Sequence, residues 1–219
     1  MAMQRETPVG EAFLLAREQF GMRFGLDRMR RLLGALGDPQ DAFAGVHVVG
    51  TNGKSTTTLM IGAALRAQGL SVGCFTSPHL LSFRERLDVG GAPIEVDEFE
   101  RAARAVREAA ERLDAGAEAD DRVTQFEAVT AVALVAFRSA GVDVAVVEAG
   151  LGGRLDATNV LGRSLVQVLT GVGIDHTEYL GDTIEAIARE KLAVVRSGAA
   201  LVCGPLGEAA AIEANAISD

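Results

Sequence analysis

The sequence predicts an α/β fold of three layers, in which a mostly parallel β-sheet lies between helices. Short apolar runs of strand length alternate with helical segments along the chain, and this alternation favours parallel pairing. Two runs, at 142–150 and 164–172, are almost continuously apolar, which is typical of strands buried on both faces. A third run, at 44–50, leads through a glycine-rich turn into a helical segment, as in a βαβ unit.

The first third of the chain predicts two short helices and this βαβ unit. The helices are expected at 11–20 and 26–36, where apolar residues recur at roughly helical spacing. The βαβ unit consists of a strand at 44–50, a helix at 53–69 and a strand at 70–77.

The middle of the chain predicts two helices without a strand between them. A polar, glycine-containing stretch at 82–93 comes first, and a helix capped by Asp97 is expected to run to about Leu113. After a loop at 114–121, the mostly apolar segment 124–141 predicts the second helix.

The last third predicts three strands and two helices. The strands at 142–150 and 164–172 flank a glycine-rich loop, GLGGRLDATNV. Beyond them we expect a helix at 183–195, a strand at 199–204 and a helix at 206–217.

Composition excludes several classes of protein. The 219 residues carry a net charge of −9 and are 48% hydrophobic, which is enough apolar material for a sizeable core. An acidic chain without clusters of Lys and Arg is not expected to bind nucleic acid or an anionic membrane. No apolar run reaches the length of a membrane span. Two cysteines, Cys74 and Cys203, are too few for a disulfide framework, so we expect a soluble protein in the reducing cytoplasm.

A phosphate-binding loop is the strongest local signal. The segment GTNGKST lies between a buried strand and a helix, where backbone N–H groups can cradle phosphate oxygens and a lysine adds positive charge. The alternative is a glycine-rich turn that only caps the helix. The loop is a shortened form of the GxxxxGK[ST] pattern. Its residues are Gly50, Thr51, Asn52, Gly53, Lys54, Ser55 and Thr56.

A carboxylate follows another strand, at the edge of the sheet where ligands bind in open α/β folds. Glu148 at that position can hold Mg²⁺ directly or through water. The alternative is a strand-end glutamate that reaches solvent. The glycine-rich loop that follows, with Arg154 and Asp156, indicates a close approach of the backbone to a ligand.

Other polar residues carry weaker signals on spacing alone. His79 and His176 follow strand ends, but Mg²⁺ prefers oxygen over imidazole. His47 lies inside a strand and is expected to be packed there. Lys191 has charged neighbours on its helix, so a solvated helix face is its ordinary explanation.

Several segments together resemble the folylpolyglutamate synthase/dihydrofolate synthase family, a branch of the Mur ligase superfamily. They occur in the family's order, and EAGLGGRLDATN is far more specific than a phosphate loop alone. The segments are GTNGKSTT, FTSPHL (75–80), FRERL (83–87), VVEAGLGGRLDATN (146–159) and GIDHTEYLGDTIEAIAREK (173–191).

The resemblance implies a three-layer P-loop NTPase-like domain, the central ATPase domain of a Mur ligase. It also implies an ATP-dependent amide ligase that uses ATP and Mg²⁺. Members of the family transfer the γ-phosphate of ATP to a folate or dihydropteroate carboxylate, and the amino group of L-glutamate attacks the acyl phosphate. Catalysis is then largely a matter of positioning and of neutralising charge.

The resemblance also implies roles for single residues. Lys54 would contact the β- and γ-phosphates, and Lys191 would be carbamylated to bind a second Mg²⁺. Lys54, Glu148, His176 and Lys191 form the implied catalytic set. Implied metal ligands are Ser77, Glu148, His176 and Lys191, with Ser55 or Thr56 from the loop. The implied folate-binding residues are Ser77, Pro78, His79, Arg154, Asp156, Ala157 and Thr158.

The chain departs from the family in three respects, one of which is that LAVVRSG follows Lys191, where a small residue and glycine are expected. Ser55 follows the loop lysine, where this branch has glycine, so the choice between Ser55 and Thr56 stays open. Members of the family are also about twice as long. We therefore expect residues 1–219 to be an incomplete ATP-binding domain without the C-terminal ligase domain, from a protein that is a monomer when complete.

Two other functions remain open on the sequence. One is a Mur-type ligase that acts on another carboxylate, such as a cell-wall precursor. The other is a nucleotide-binding module that keeps the phosphate loop and has lost ligation.

Overall fold

A seven-stranded sheet forms the centre of the computed structural model, which describes residues 8–118 and 120–218. The strands are β1 (Ala44–Val49), β2 (Val72–Phe75), β3 (Leu87–Val89), β4 (Ala92–Pro93), β5 (Val144–Glu148), β6 (Ser164–Leu169) and β7 (Ala200–Cys203). Their order is β4-β3-β2-β5-β1-β6-β7. The five strands from β2 to β7 in this order pair in parallel, and β3 and β4 add an antiparallel edge.

Helices cover both faces of this sheet. They are α1 (Val9–Ala16), α2 (Asp27–Ala35), α3 (Lys54–Ala67), α4 (Val96–Asp114), α5 (Gln125–Ala140), α6 (Thr177–Leu180), α7 (Ile184–Leu192) and α8 (Glu208–Ser218). Apolar side chains of α3 pack on one face against β1, β2, β5 and β6. On the other face, α4 and α5 cover one half and α7 and α8 the other. The predicted three-layer fold with a mostly parallel sheet is confirmed.

The central strands are buried on both faces, as their continuous apolar runs predicted. Along β1, Val46 and Val48 pack under α3, whereas Val49 packs towards α7 and α8. These strands end one to three residues earlier than predicted, at Val49, Glu148 and Leu169, because the residues that follow leave the ladder to form loops.

Three elements were not predicted, namely the two strands of a hairpin and a short helix. The polar stretch at 82–93 contains the β3–β4 hairpin, whose turn uses Gly90 and Gly91 at positive φ. A short helix, α6, follows His176. The prediction of an Asp97 cap was also wrong. Helix α4 begins at Val96, so Asp97 lies in its first turn.

The start of α5 is fixed by a capping box. The Thr124 hydroxyl accepts a hydrogen bond from the Glu127 N–H, and the Glu127 carboxylate accepts one from the Thr124 N–H. The same carboxylate accepts a hydrogen bond from Arg28 of α2. A second bond from Arg28, to the carbonyl oxygen of Arg23, ties the segment between α1 and α2 to this helix end.

No helix among the described residues is both long enough and apolar enough to cross a membrane.

Candidate active site

Parallel pairing brings several predicted site residues to one edge of the sheet. The phosphate loop follows β1, Ser77 follows β2, and Glu148 ends β5. Because β2, β5 and β1 are neighbours, these three groups meet where the strands end. The site is therefore assembled from segments that are far apart in the chain.

Two glycines give the phosphate loop its shape. Gly53, in the left-handed region at φ 78°, precedes the first residue of α3. Gly50 has φ 148°, and a Cβ at this position would lie 2.0 Å from Oγ1 of Thr170. In this geometry the N-terminus of α3, with Lys54 as its first residue, opens towards the loop.

Hydrogen bonds tie the phosphate loop to the segment after β6. The Thr51 hydroxyl donates to the Gly173 carbonyl at 3.2 Å, and the Gly173 N–H donates to the Thr51 oxygen at 3.0 Å. The Thr170 hydroxyl donates to the Asn52 carbonyl at 2.7 Å. Sequence reasoning missed Thr170, whose only signal was its position at a strand end. The side chain of Thr51 thus faces protein, and only its backbone remains available to a phosphate.

Glu148 is buried, with 2% of its surface exposed, so the alternative of a glutamate that reaches solvent is wrong. Its Oε1 accepts a hydrogen bond from Ser55 Oγ at 3.0 Å, and its Oε2 accepts one from the Ser77 N–H at 3.1 Å. Burial raises the pKa of the Glu148 carboxyl, and these two bonds oppose the shift. The charges of Lys54 and Arg86 oppose it as well.

The oxygens around Glu148 fit a Mg²⁺ ion that keeps water or phosphate ligands. Ser55 and Glu148 supply adjacent hard oxygens, as Mg²⁺ requires. Thr56 is exposed, and no hydrogen bond joins it to this pair. Among the described residues, no group of three His, Cys, Asp or Glu side chains forms a complete protein cage for a metal.

Lys191 is buried, and the alternative of a solvated helix face is wrong. Only 3% of its surface is exposed, and its Nζ donates to the Gly50 carbonyl at 3.1 Å. Burial and the nearby charge of Lys54 lower the pKa of Lys191 to about 8. The α7 lysine therefore contacts the phosphate loop directly.

The two histidines after strand ends lie in different surroundings. His176 adopts a left-handed φ of 47° before α6, is exposed, and lines a cavity beside the phosphate loop. His79 accepts a hydrogen bond at Nδ1 from Arg86 Nε at 2.8 Å and stacks against Phe83. Burial and the Arg86 charge lower the pKa of His79.

Arg86 is a site residue that sequence reasoning missed. It belongs to the FRERL segment, where its alternation with other charged residues gives no sign of burial. In the structure it is 9% exposed and lines the same cavity as Lys54 and Ser77.

The glycine-rich loop after β5 packs against protein. A Cβ on Gly153 would lie 2.7 Å from the Lys191 carbonyl oxygen, and one on Gly150 would lie 2.5 Å from Phe126. The prediction that these glycines serve a ligand is therefore incomplete, because close packing against α7 and α5 already requires them at these two positions.

Asp156 and Thr158 form a buried polar chain with His47. Asp156 accepts hydrogen bonds from the Leu151 N–H at 2.8 Å and from the Thr158 N–H and hydroxyl. The Thr158 oxygen lies 2.8 Å from His47 Nε2. Burial lowers the pKa of His47 to about 3, so the imidazole is neutral. His47 is packed as predicted, and it also anchors the loop. Arg154 lies apart from this chain, paired with Glu190 in a partly exposed contact.

A cavity of about 540 Å³ lies beside these groups. Residues 21–25, between α1 and α2, form one wall, and the aromatic ring of Phe24 lies 5.2 Å from that of Tyr179. Of the predicted folate-binding residues, Ser77, Pro78, Asp156 and Ala157 line the cavity, whereas His79, Arg154 and Thr158 do not. The apolar part of the wall includes Phe126, Leu151 and Leu155.

Comparisons with known proteins agree with this geometry. The profile of the Mur ligase middle domain matches residues 48–200. A folylpolyglutamate synthase from Lacticaseibacillus casei is 44% identical over 188 residues, which is 85% of this chain and 44% of that protein. A dihydrofolate synthase/folylpolyglutamate synthase from Bacillus subtilis is 39% identical over 192 residues, 87% of this chain and 44% of that protein.

Solved structures of two relatives share the fold of this chain. A complex of FPGS with AMPPCP and folate has a TM-score of 0.82 and 40% identity, covering 98% of this chain and 48% of the other. E. coli FolC in complex with DHPP and ADP has a TM-score of 0.84 and 33% identity, covering 97% and 49%. The chain thus spans about half the length of these proteins. It belongs to the Mur ligase family through its middle domain, and the relatives it resembles there are folylpolyglutamate and dihydrofolate synthases.

Proposed function

We propose that this chain is the nucleotide-binding part of an ATP-dependent ligase that joins L-glutamate to a folate or dihydropteroate carboxylate. One observation carries the proposal. Ser55 and Glu148 are hydrogen-bonded at the sheet edge, and Lys54 of the same loop lines the cavity of about 540 Å³ beside them. A triphosphate on the loop would then end beside a site for the acceptor. The known complexes of relatives with AMPPCP and folate, and with DHPP and ADP, support this pairing of ligands.

In the proposed reaction, an oxygen of the acceptor carboxylate attacks the γ-phosphorus of ATP. The bond to the oxygen that bridges the β- and γ-phosphates breaks, and ADP leaves. The amine of glutamate attacks the carbonyl carbon of the acyl phosphate, phosphate leaves, and the amine loses a proton. A carboxylate and an amine do not condense in water at a useful rate, so phosphorylation supplies the leaving group. The protein then accelerates the reaction mostly by holding the reactants in line.

The residues of the loop bind and orient the phosphates. Lys54 Nζ donates to the carbonyls of Gly50 and Thr51 at 3.1 and 3.3 Å, and its ammonium exchanges these neutral acceptors for charged phosphate oxygens when ATP binds. The loop backbone and the start of α3 offer further N–H donors. Asn52, Gly53 and Thr56 contribute through this backbone.

Ser55 is the better of the two candidates for the loop hydroxyl that binds Mg²⁺, because it already contacts Glu148. Ser77 and His176 line the same cavity and complete the proposed ligand set. When bound, Mg²⁺ neutralises charge on the transferring phosphoryl group. Lys191 has the lowered pKa that carbamylation needs: its neutral amine attacks CO₂, an N–C bond forms and a proton is lost.

The cavity wall suits a flat, largely aromatic acceptor. Phe24, Phe126 and Leu151 provide apolar contacts, and Asp156 provides a carboxylate. Ala157 and Pro78 complete the proposed folate contacts, and Thr158 acts by orienting Asp156. In this proposal Arg154 and His79 act from outside the cavity. Both cysteines are free, which supports the proposed cytoplasmic location.

Equilibrium binding tests the proposal. We expect the protein to bind AMPPCP, and to bind folate or dihydropteroate more tightly when AMPPCP is present. Preference for a nucleotide-linked cell-wall precursor would favour the other Mur-type ligase. AMPPCP binding without affinity for any of these acceptors would favour the nucleotide-binding module.

A further inference from the structure

Arg86 combines burial with an open side of its guanidinium group. It is the last residue of the helical turn at 83–86, directly before β3, and its backbone is fixed because its carbonyl oxygen accepts a hydrogen bond from the Thr76 N–H at 2.9 Å. Its Nε donates to His79 at 2.8 Å. The guanidinium also lies over the Phe83 ring, 5.3 Å from its centre. The side chain is therefore held in one orientation, against the wall of the cavity.

The guanidinium of Arg86 is not paired with a carboxylate among the residues that the structure describes. Among residues 8–118 and 120–218, no carboxylate forms an ion pair with Arg86, and its terminal nitrogens donate no hydrogen bond. Glu148 is the acidic group whose charge acts on Arg86, but its two oxygens accept hydrogen bonds from Ser55 and Ser77. A buried charge without a partner is costly, so such a site favours an anion from solution.

A purely structural role leaves this arrangement unexplained. Packing on Phe83 uses one face of the planar guanidinium group of Arg86, and the bond to His79 uses one of its N–H groups. The remaining N–H groups form the planar fork that recognises carboxylate or phosphate oxygens in pairs. Arg86 lines a cavity that Arg23 and Lys54 also line, so three positively charged side chains face the same space.

We propose that Arg86 binds the reacting oxyanion of the substrate, with His79 as the residue that positions it. This inference rests on the proposed ligase function. The oxyanion is either the terminal phosphate of ATP or the carboxylate of the acceptor, since both would enter the cavity that Arg86 and Lys54 line. Because Nδ1 of His79 accepts a hydrogen bond from Arg86, the proton of the neutral imidazole is on Nε2. His79 thus supports Arg86 as a neutral group.

Binding of four probes tests this assignment: ADP, AMPPCP, folate and dihydropteroate. We expect Arg86→Gln to bind ADP as the wild type does. We expect it to bind AMPPCP or the two acceptors about 10- to 100-fold more weakly, since a hydrogen bond to a charged group is lost. Weaker binding of AMPPCP alone assigns the fork to the terminal phosphate, and weaker binding of the acceptors alone assigns it to their carboxylate. Arg86→Lys should recover part of the loss, because it keeps the charge without the fork.

Arg84→Gln is the matched control. It removes the same charge two residues away, where Arg84 donates to the Ile94 carbonyl and does not line the cavity. Its affinities should stay within twofold of wild type, about the size of a surface effect. Thermal unfolding shows whether each variant is folded, and unchanged ADP binding shows that its phosphate loop is intact.

Two outcomes contradict the inference in different ways. If Arg86→Gln binds all four probes as the wild type does, Arg86 has no oxyanion ligand, and the proposed function stands. If the wild-type protein itself binds neither AMPPCP nor an acceptor, the proposed function fails and takes the inference with it.

Discussion

Lys54 and Lys191 donate hydrogen bonds to the same atom, the carbonyl oxygen of Gly50, each at 3.1 Å. These are the only two lysines in the sequence. One comes from the start of α3 and the other from α7, so the two ammonium groups are brought together by the fold. Their mutual repulsion is one reason why the pKa of Lys191 is lowered. A phosphate between them would relieve it.

Removing Lys54 should weaken nucleotide binding. Lys54→Ala deletes a charge that can pair with phosphate oxygens, and we expect at least about a 10-fold loss of AMPPCP affinity by calorimetry. Arg66→Ala is a suitable control, since that side chain pairs with Asp88 away from the loop. Equal AMPPCP affinity in Lys54→Ala and wild type would contradict the loop assignment.

Titration of Lys191 should differ from that of an ordinary lysine. Reductive ¹³C-methylation labels only two lysine side chains and the N-terminus, and NMR should find one lysine with a pKa of about 8. In Lys54→Ala this pKa should rise, because a nearby positive charge is gone. A value close to 10.5 in the wild type would rule out the buried geometry.

The same shift predicts how stability depends on pH. Between about 8 and 10.5 the unfolded chain holds the Lys191 proton and the folded protein does not. The free energy of unfolding should therefore rise with pH across this window. Lys191→Met should remove this rise, and urea unfolding at several pH values measures it.

Replacing the buried carboxylate should reduce the effect of magnesium. Glu148→Gln keeps the shape of the side chain and an acceptor for Ser55, but it loses the charge that Mg²⁺ requires. We expect the protein to stay folded, and the gain in AMPPCP affinity on adding Mg²⁺ to fall about 10-fold, as for one lost charged contact. An unaltered Mg²⁺ dependence would show that Glu148 is no ligand.

The bond from Thr170 to the phosphate loop can be tested with a pair of variants. Thr170→Val removes the hydroxyl that donates to Asn52, and the loop loses one restraint. AMPPCP affinity should fall about 2- to 10-fold, the size of one net hydrogen bond. Thr170→Ser keeps the hydroxyl and should bind as the wild type does. Equal losses in both variants would mean that packing of the methyl group matters instead.

The regular part of the fold was predictable because local patterns decide it. The strands around 46 and 146 are largely apolar, and capping residues such as Thr124 and Gly141 mark both ends of α5. The β3–β4 hairpin was not recognised. Its strands are only three and two residues long, and its pairing with β2 is a long-range contact that leaves no period in the sequence.

The site was predictable where a motif carries it, as in the phosphate loop and Glu148. Arg86 and Thr170 were missed, because their roles arise from contacts with His79 and Asn52 and not from neighbouring residues. Lys191 shows the same limit. Its charged neighbours Arg189 and Glu190 suggest exposure, yet of these three charged residues the helix buries only Lys191.

The contact between Phe24 and Tyr179 at the cavity gives the protein an optical property of its own. The chain has one tyrosine and no tryptophan, so its intrinsic ultraviolet emission comes from a single ring. That ring lies half-exposed on α6, against the segment that forms one cavity wall. Any molecule that enters and displaces Phe24, or absorbs at the tyrosine emission wavelength, will change the signal without a label.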